Sequence, residues 1–420
     1  MKFRRTLGWV AVLYFAEGLP FGIVKEVMPV YFRVSGAPLV EVGLLSLLGL
    51  PWTLKVLWSP LVDRFGERRN WVSGCLMLLA LTAAALLPFD PTARALGLWL
   101  VLFGMAMASA TQDIAIDAYT IGLVDRGLEG RANGIRVSAY RVALIASGGG
   151  LVLLVPWVGW STVFLIAAVV FAALALVVRR APRVVVPVEA RQQWLAPMRA
   201  WLLRPGAAAV FAFVLLYKLG DATMGPMVKP FWLDRGLAVA EIGLVSSSFG
   251  VLATIAGALV GGRFTDRWGI WWALLLLGLA QALSNLGYAS VAWIDPAPPT
   301  ATVASLPDAV RAAAEPVRAM IYGASLIESF CSGLGSAAFM AFLMHICDTE
   351  HAAVQYAALS AVFALSRDVA GAISGWATET LGYAAYFGLT FLLAFPALAL
   401  LPWAGKWLRE ARGTEAAAAS

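Results

Sequence analysis

The stretch YFRVSGAPLVEVGLLS at residues 31–46 recurs as FWLDRGLAVAEIGLVS at residues 231–246, an offset of 200 positions. Gly36 pairs with Gly236 in this alignment, and the glutamates of the two copies also align. A match of this length predicts a chain made of two halves that repeat one structural plan. Internal repeats of this kind are typical of secondary transporters, which bind substrate at a central site between the halves.

The composition places both halves in a membrane. Hydrophobic residues make up 61% of the 420 residues and charged residues only 13%, and the mean hydropathy is +0.80. Soluble proteins of this length do not have such a composition, whereas polytopic helical membrane proteins do. Since a span needs roughly 20 apolar residues, the chain has room for about twelve. The predicted fold is an all-α membrane protein with twelve transmembrane helices in two pseudo-symmetric six-helix bundles.

The segments between the apolar runs define the expected domains. A six-helix bundle at 1–180 is followed by a basic cytoplasmic linker at 181–205, a second six-helix bundle at 206–405 and a cytoplasmic tail at 406–420. The predicted spans lie near 7–32, 39–61, 71–88, 95–123, 132–156, 160–179, 206–233, 240–262, 270–294, 317–347, 352–378 and 383–405.

The lysines and arginines predict the orientation. The net charge of +6 does not come from a basic arm of the kind that binds nucleic acid, because the basic residues lie between apolar runs. With both termini in the cytoplasm, inner segments carry about 20 of these residues and outer loops about five, which is the bias expected of inner segments. We therefore expect both ends inside and no nucleic-acid partner.

The sequence ATQDIAIDAY at 110–119 puts two carboxylates into the fourth span. Asp113 and Asp117 are four residues apart, so they share one helix face about 6 Å apart along the axis. Two carboxylates that close in a low dielectric cannot both ionise cheaply, which favours a shared proton. The alternative is that Arg141 or Arg136 neutralises each aspartate and only holds helices together.

Other ionisable residues also fall inside predicted spans, where such groups are costly and are functional by default. Glycines and prolines interrupt the first and seventh spans around their charges, which predicts kinked or broken helices near a binding site. The prolines of the seventh span, Pro226 and Pro230, should kink or break that helix. The other charges in the spans are Glu17, Lys25, Glu26, Lys55, Lys218, Asp221, Lys229, Glu328, Arg367 and Asp368.

The inner turn SPLVDRFGERR at 59–69 has a counterpart in GGRFTDRWG at 261–269. Gly66 permits a tight turn, and the basic residues favour the anionic inner leaflet. One interpretation is a topological anchor, and the other is a conformational latch whose charge pairs form in only one state. The latch residues would be Asp63, Arg64, Gly66, Asp266 and Arg267.

Signatures of catalysis, metal binding or cofactor binding do not appear in the sequence. It holds no nucleophile–base set, no metal-ligand spacing and no nucleotide fingerprint. We therefore expect neither an enzyme nor a metal or cofactor. A membrane sensor would need an appended soluble domain, and a lipid-modifying enzyme would need a catalytic set.

Several segments in both halves resemble the AmpG-type muropeptide permeases of the major facilitator superfamily, which are related to the acetyl-CoA transporters. The resemblance implies the major facilitator fold and proton-driven import of anhydro-muropeptides, which are cell-wall recycling products, across the bacterial inner membrane. The segments are LKVLWSPLVDRFG (54–66), ATQDIAIDAY (110–119), YRVALIASGG (140–149), LYKLGDA (216–222), GVLATIAGALVGG (250–262), QALSNLGY (281–288) and IESFCSGLGSAAFMAFLMHIC (327–347).

The resemblance also marks individual positions. The family pattern matches Gln112, Asp113, Asp117, Tyr140, Arg141, Lys218, Asp221, Asn285, Glu328 and Arg367. The chain departs from the pattern at Glu17, Lys25, Glu26, Lys229 and Asp368, which add charge to the expected cavity.

Together these observations predict a role for each position. Asp113 and Asp117 carry or gate the proton, with Glu17 and Glu328 as further candidates. Asp221 orients Lys218, and Gln112, Tyr140 and Asn285 join the predicted substrate site. The substrate carboxylates are neutralised by Lys25, Lys218, Lys229, Arg141 and Arg367.

The predicted partners are an anionic sugar-peptide, protons and the lipid bilayer, and a monomer is expected. The basic residues in the spans fit any anion, so another amphiphilic anion such as a CoA thioester, or export of a toxic compound, stays open at this point.

Overall fold

The computed structural model describes residues 2–93, 95–123, 129–183, 206–295, 315–347 and 352–418, and it is built almost entirely of helices, as the composition predicts. The chain divides into two compact units. The N-terminal unit comprises Met1–Glu41, Leu48–Glu189 and Leu237–Ser248, and the C-terminal unit comprises Val42–Leu47, Ala190–Gly236 and Phe249–Ser420.

The helices of the first half follow the predicted apolar runs, and the second span is divided into short pieces. They are α1 (Lys2–Gly22), α2 (Met28–Val34), α3 (Leu39–Leu44), α4 (Leu50–Leu54), α5 (Ser59–Arg64), α6 (Arg68–Ala85), α7 (Leu96–Leu123), α8 (Glu129–Leu144) and α9 (Val152–Val178).

The second half continues in the same way, and its last helix extends beyond the predicted span end at residue 405. Its helices are α10 (Ala207–Leu216), α11 (Leu219–Asp234), α12 (Val239–Glu241), α13 (Gly250–Trp268), α14 (Ile270–Ile294), α15 (Glu315–His345), α16 (Ala352–Leu392) and α17 (Phe395–Ala418).

The repeat is visible in the backbone. Gly36 and Gly236 both follow the first span of their half, and both have a left-handed conformation, with φ of 93° and 75°. An irregular turn then follows in each half, a 3₁₀ turn at Leu45–Gly49 and a π-helix at Ile242–Phe249. Only glycine adopts a positive φ without steric cost, which explains why both copies have glycine there.

Interruptions occur in both of the spans where they were predicted, but one lies at a different place. A π-helix at Ile23–Val27 separates α1 from α2. The seventh span breaks at Tyr217 and Lys218, between α10 and α11, and α11 then runs unbroken through Pro226 and Pro230. The prediction that these prolines break the helix was therefore wrong. Neighbouring helices supply donors to carbonyls that a membrane proline leaves free.

Eight helical stretches among the described residues are long and apolar enough to cross a membrane, judged by length and composition. Two of them, Ala132–Val178 and Leu359–Leu408, contain a glycine with positive φ at which two helices meet. The second predicted span contributes only a shorter apolar stretch, Leu39–Leu54. Proline at the start of α4 and of α5 divides it, because proline lacks an amide donor and favours a helix start. The count of twelve stays a prediction.

Glycines set the closest helix contacts within each unit. A Cβ on Gly18 of α1 would lie 2.9 Å from the Tyr140 carbonyl oxygen on α8. In the C-terminal unit, a Cβ on Gly257 of α13 would collide with the Phe330 carbonyl oxygen on α15, and one on Gly261 would lie 2.7 Å from the Leu334 carbonyl oxygen. Small residues allow such backbone approach between membrane helices.

Replacing Gly257 by alanine should therefore destabilise the protein by about 1–3 kcal/mol, since the added methyl group meets backbone instead of a side chain that can move. Gly262 is the matched control on the same helix, because a Cβ there has nothing within 4 Å. Gly262→Ala should be neutral or stabilise by up to about 1 kcal/mol through helix propensity. Thermal unfolding in detergent measures both variants, and equal effects would show that the contact is not close in solution.

Candidate functional site

Three carboxylates meet inside the N-terminal unit, and we call them the acidic cluster. They are Glu17 on α1 and Asp113 and Asp117 on α7, and one oxygen of each lies within 4.8 Å of the other two. The one-turn spacing of the aspartates puts both on the face of α7 that meets α1. Glu17 and Asp113 are buried, each 8% exposed, and the two carboxyl groups are in hydrogen-bonding contact.

Two cations lie against the aspartates. Lys55, in the 3₁₀ turn Lys55–Leu57, forms an ion pair with Asp113. Arg136 on α8 places Nη2 3.0 Å from Oδ1 of Asp117. Tyr14 completes this arrangement, because its hydroxyl donates to the same Oδ1 at 2.7 Å and its ring lies 4.6 Å below the Arg136 guanidinium.

The charges of the acidic cluster and of its two cations, Lys55 and Arg136, do not balance. Glu17, Asp113 and Asp117 supply three negative charges when ionised, whereas Lys55 and Arg136 supply two positive charges. Each aspartate has its own cation, so Glu17 is the carboxyl without one among the described residues, and its Oε2 is buried with no hydrogen-bond partner there. A single proton or monovalent cation balances the group. Three carboxylates could also ligate a divalent ion, but that ion would overbalance the charge while Lys55 and Arg136 remain in place.

Gln112, beside the acidic cluster on α7, has unused hydrogen-bonding capacity. It is fully buried, and neither Nε2 nor Oε1 has a partner in the described part of the chain. Ser109, one turn earlier, is also buried with its hydroxyl unpartnered. Buried polar atoms without partners are costly, so this face of α7 can take polar groups from a ligand or from water.

A second charged group lies in the C-terminal unit, at the start of α11. Lys218 Nζ lies 3.0 Å from Oδ2 of Asp221, the contact expected from their i,i+3 spacing, and donates to the Ser332 carbonyl at 3.4 Å. Ser332 Oγ on α15 donates to the same Oδ2 at 3.1 Å. Glu328, one turn before Ser332, makes hydrogen-bonding contact with Asp221. The helix break at Lys218 places the lysine at the N-cap of α11.

Asn285 on α14 lies beside this second group. Its Nδ2 would be 3.6 Å from a Cβ on Gly220, the neighbour of Asp221, and it donates to Thr390 Oγ1 at 3.2 Å. Its Oδ1 is buried and has no partner among the described residues. Asn285 thus also offers a buried acceptor.

The other predicted site residues are more scattered. Lys25 lies in the π-helix after α1, Lys229 is buried on α11, and Tyr140 packs on Gly18. Arg367 lies 3.9 Å from Asp368, its neighbour in sequence. Arg141 makes no ion pair within the described ranges, so Arg136 and Lys55 are the cations that meet the aspartates.

The turns at 59–69 and 261–269 both contain a glycine with positive φ, as a tight turn requires. Gly66 and Gly269 both have positive φ, 75° and 84°. Asp266 and Arg267 lie in the last turns of α13. The side chains of Asp63 and Arg64 lie outside the described part of the structure, so the latch stays a prediction.

Sequence reasoning did not assign three groups that the structure places at the acidic cluster. Lys55 is visible in the sequence as a charge in the second span, Arg136 as one possible partner of an aspartate, and Tyr14 not at all. Lys55 and Asp113 are 58 positions apart, and Tyr14 and Asp117 are 103 apart. A single sequence contains no signal that pairs positions so distant.

The sequence and the fold have counterparts among known proteins. A model of the Major Facilitator Superfamily matches residues 10–310. The anhydromuropeptide permease of Escherichia coli is 32% identical over 403 residues, which cover 93% of this chain and 78% of that protein. The putative transporter AmpG 4 of Rickettsia felis is 26% identical over 416 residues, covering 94% and 96%. The solved nucleoside transporter NupG has a TM-score of 0.71 at 14% identity, covering 94% and 98%.

The protein is therefore a multi-pass membrane transporter of small molecules, and its relatives are permeases and transporters, not enzymes. The chain belongs to the major facilitator superfamily and, within it, to the AmpG-type anhydromuropeptide permeases.

Proposed function

We propose that this transporter imports anhydro-muropeptides from the periplasm to the cytoplasm of a bacterium, driven by protons through alternating access. The single observation that carries proton coupling is the charge imbalance of the acidic cluster, where three carboxylates, two of them buried, face two cations. The distribution of basic residues supports cytoplasmic termini, and the similarity to the Escherichia coli permease supports the bacterial inner membrane. The substrate class comes from the Escherichia coli relative, whose name is anhydromuropeptide permease.

The charge imbalance supports a proton as the coupling ion. Leaving one unpaired charge at the centre of a membrane costs about 2.5–3.5 kcal/mol on insertion scales. A proton on the Glu17, Asp113 and Asp117 group removes that cost, and its release restores it. Loading and unloading therefore change the stability of this part of the protein, which is what coupling an ion gradient to a conformational cycle requires. Glu328 is a further candidate for this role.

Basic and amide side chains support an anionic sugar-peptide as the substrate. Muropeptide carboxylates require cations, and the amide and hydroxyl groups of the sugars require hydrogen-bond partners. The unpartnered atoms of Gln112 and Asn285 suit the hydrogen-bonding groups of the sugar, and we add the Tyr140 side chain to this predicted set. We assign the neutralisation of the substrate carboxylates to five basic residues, with Asp221 orienting Lys218. They are Lys25, Lys218, Lys229, Arg141 and Arg367.

Binding to the purified protein tests the substrate class. We expect a disaccharide anhydro-muropeptide to bind more tightly than its free peptide or its free disaccharide, because both parts contribute contacts. A long-chain CoA thioester serves as the competing amphiphilic anion. Calorimetric titration ranks the four compounds, and tighter binding of the thioester than of the muropeptide would contradict the proposed substrate.

A further inference from the structure

Each unit contains a glutamate, an aspartate and a lysine joined in the same way. In the N-terminal unit, Glu17 contacts Asp113, which holds Lys55. In the C-terminal unit, Glu328 contacts Asp221, which holds Lys218 at 3.0 Å. We call these the two Glu–Asp–Lys triads.

The triads occupy equivalent spans of the two repeats. Glu17 lies on the first span and Asp113 on the fourth. In the second half, the first span supplies the aspartate, Asp221, and the fourth supplies the glutamate, Glu328. The glutamate and the aspartate thus occupy opposite spans in the two halves, but in each half the pair joins the first span to the fourth.

A hydrogen bond between two carboxyl groups requires a proton. An ionised carboxylate is an acceptor only, whereas a protonated one also donates. Asp221 accepts from Lys218 and Ser332, which favours its ionised form, so the proton belongs to Glu328. With Glu328 protonated, Asp221 and Lys218 balance, and with it ionised one negative charge is unpaired.

Other groups around Glu328 do not remove this imbalance. Tyr288 on α14, the third span of the second half, interacts electrostatically with Glu328. Cys331 on α15, the helix of Glu328 itself, does so as well. The segment of α13 from Gly250 to Gly262 has no titratable side chain. Ser329 lies 3.5 Å from the Glu328 carboxyl. Lys218 is thus the cation of this group.

We propose that the C-terminal unit has a proton-binding site of its own at Glu328 and Asp221, so that each unit binds one proton and two protons accompany each substrate. This rests on the proposed proton-driven transport, whose first proton resides in the acidic cluster.

Infrared spectroscopy of the purified protein counts protonated carboxyl groups without any substrate. At neutral pH the protonated-carboxyl band should contain one contribution that Glu328→Gln removes and a separate one that Glu17→Gln removes. Glu379→Gln, an exposed glutamate of the C-terminal unit, should leave the band unchanged. If Glu328→Gln is not recovered folded, Glu328→Asp should shift the band. An unchanged band in a folded Glu328 variant overturns the second site.

Accumulation in proteoliposomes then tests the number of protons. With the membrane potential clamped at zero, one pH unit supports about tenfold accumulation of a disaccharide anhydro-muropeptide for one coupled proton and about a hundredfold for two. Wild-type protein should show the larger limit and Glu328→Gln the smaller. A wild-type limit near tenfold that Glu328→Gln leaves unchanged overturns the two-proton cycle. Wild-type uptake that ignores the proton gradient would instead contradict the proposed function, and the infrared result would still decide the second site.

Discussion

Replacing Glu17 by glutamine should lower gradient-driven accumulation by at least about tenfold while substrate exchange across the membrane continues. Glutamine is close in shape to a protonated glutamate, so it mimics the loaded state of the acidic cluster. The remaining charges balance, because Asp113 keeps Lys55 and Asp117 keeps Arg136. We therefore expect a folded transporter that lacks the proton released from this position.

The measurement compares two assays on the same proteoliposomes. Accumulation of a disaccharide anhydro-muropeptide against a proton gradient of one pH unit should fall by at least about tenfold, the contribution of one coupled proton. Counterflow, in which labelled substrate exchanges with unlabelled substrate inside, should persist. Glu379→Gln, on an exposed face of α16, is the control and should match wild type in both assays. Unimpaired accumulation by Glu17→Gln would remove Glu17 from the coupling mechanism.

This expectation differs from the sequence hypothesis, which gave the proton first to the aspartates. Their i,i+4 spacing is readable from sequence, and the structure places them together with Glu17. Their partners were not readable, because Lys55 and Arg136 approach from other helices. Once each aspartate has a cation, the unbalanced carboxyl is Glu17, a residue outside the family pattern.

Other features could be predicted from the sequence when their causes lie within a few neighbouring residues. The repeat predicted equivalent turns, and Gly36 and Gly236 have them because positive φ is a property of single residues. The contact of Lys218 with Asp221 follows from helix geometry. The break in the seventh span was misplaced, since a proline's effect depends on its neighbours. Tyr386 donates to the Thr223 carbonyl, next to the carbonyl that Pro226 leaves free.

Removing one partner of the ion pair between Lys55 and Asp113 should destabilise the protein. Removing both charges together should restore part of the lost stability. Asp113→Asn removes the direct partner of Lys55 but leaves two carboxylates facing two cations, whereas Lys55→Gln leaves the carboxylates of the acidic cluster with a single cation, so the larger loss is expected for Lys55→Gln. Breaking a buried pair on one side costs about 3–5 kcal/mol. The Lys55 side chain is 32% exposed, so we expect the lower end of that range.

The double variant Lys55→Gln with Asp113→Asn keeps the cluster one negative charge out of balance, as in wild type, because it removes one charge of each sign. Its stability should therefore exceed that of either single variant, with a coupling energy of about 1–3 kcal/mol. Glu67 and Arg69 give the matched control, an ion pair at 2.8 Å in which Glu67 is 45% exposed. Neutralising that pair should show a coupling of only about 0.2–1 kcal/mol.

Thermal and denaturant unfolding in detergent measure all of these variants, and transport separates stability from coupling. The double variant should fold well and yet accumulate substrate poorly, because Glu17 has lost the charged neighbours that set when its proton is released. Additive losses in the double variant would mean that Lys55 and Asp113 act separately. If the double variant shows full gradient-driven accumulation, the Lys55–Asp113 pair only holds α7 against the 3₁₀ turn. Proton coupling in the N-terminal unit would then depend on Glu17, Asp117 and Arg136 alone.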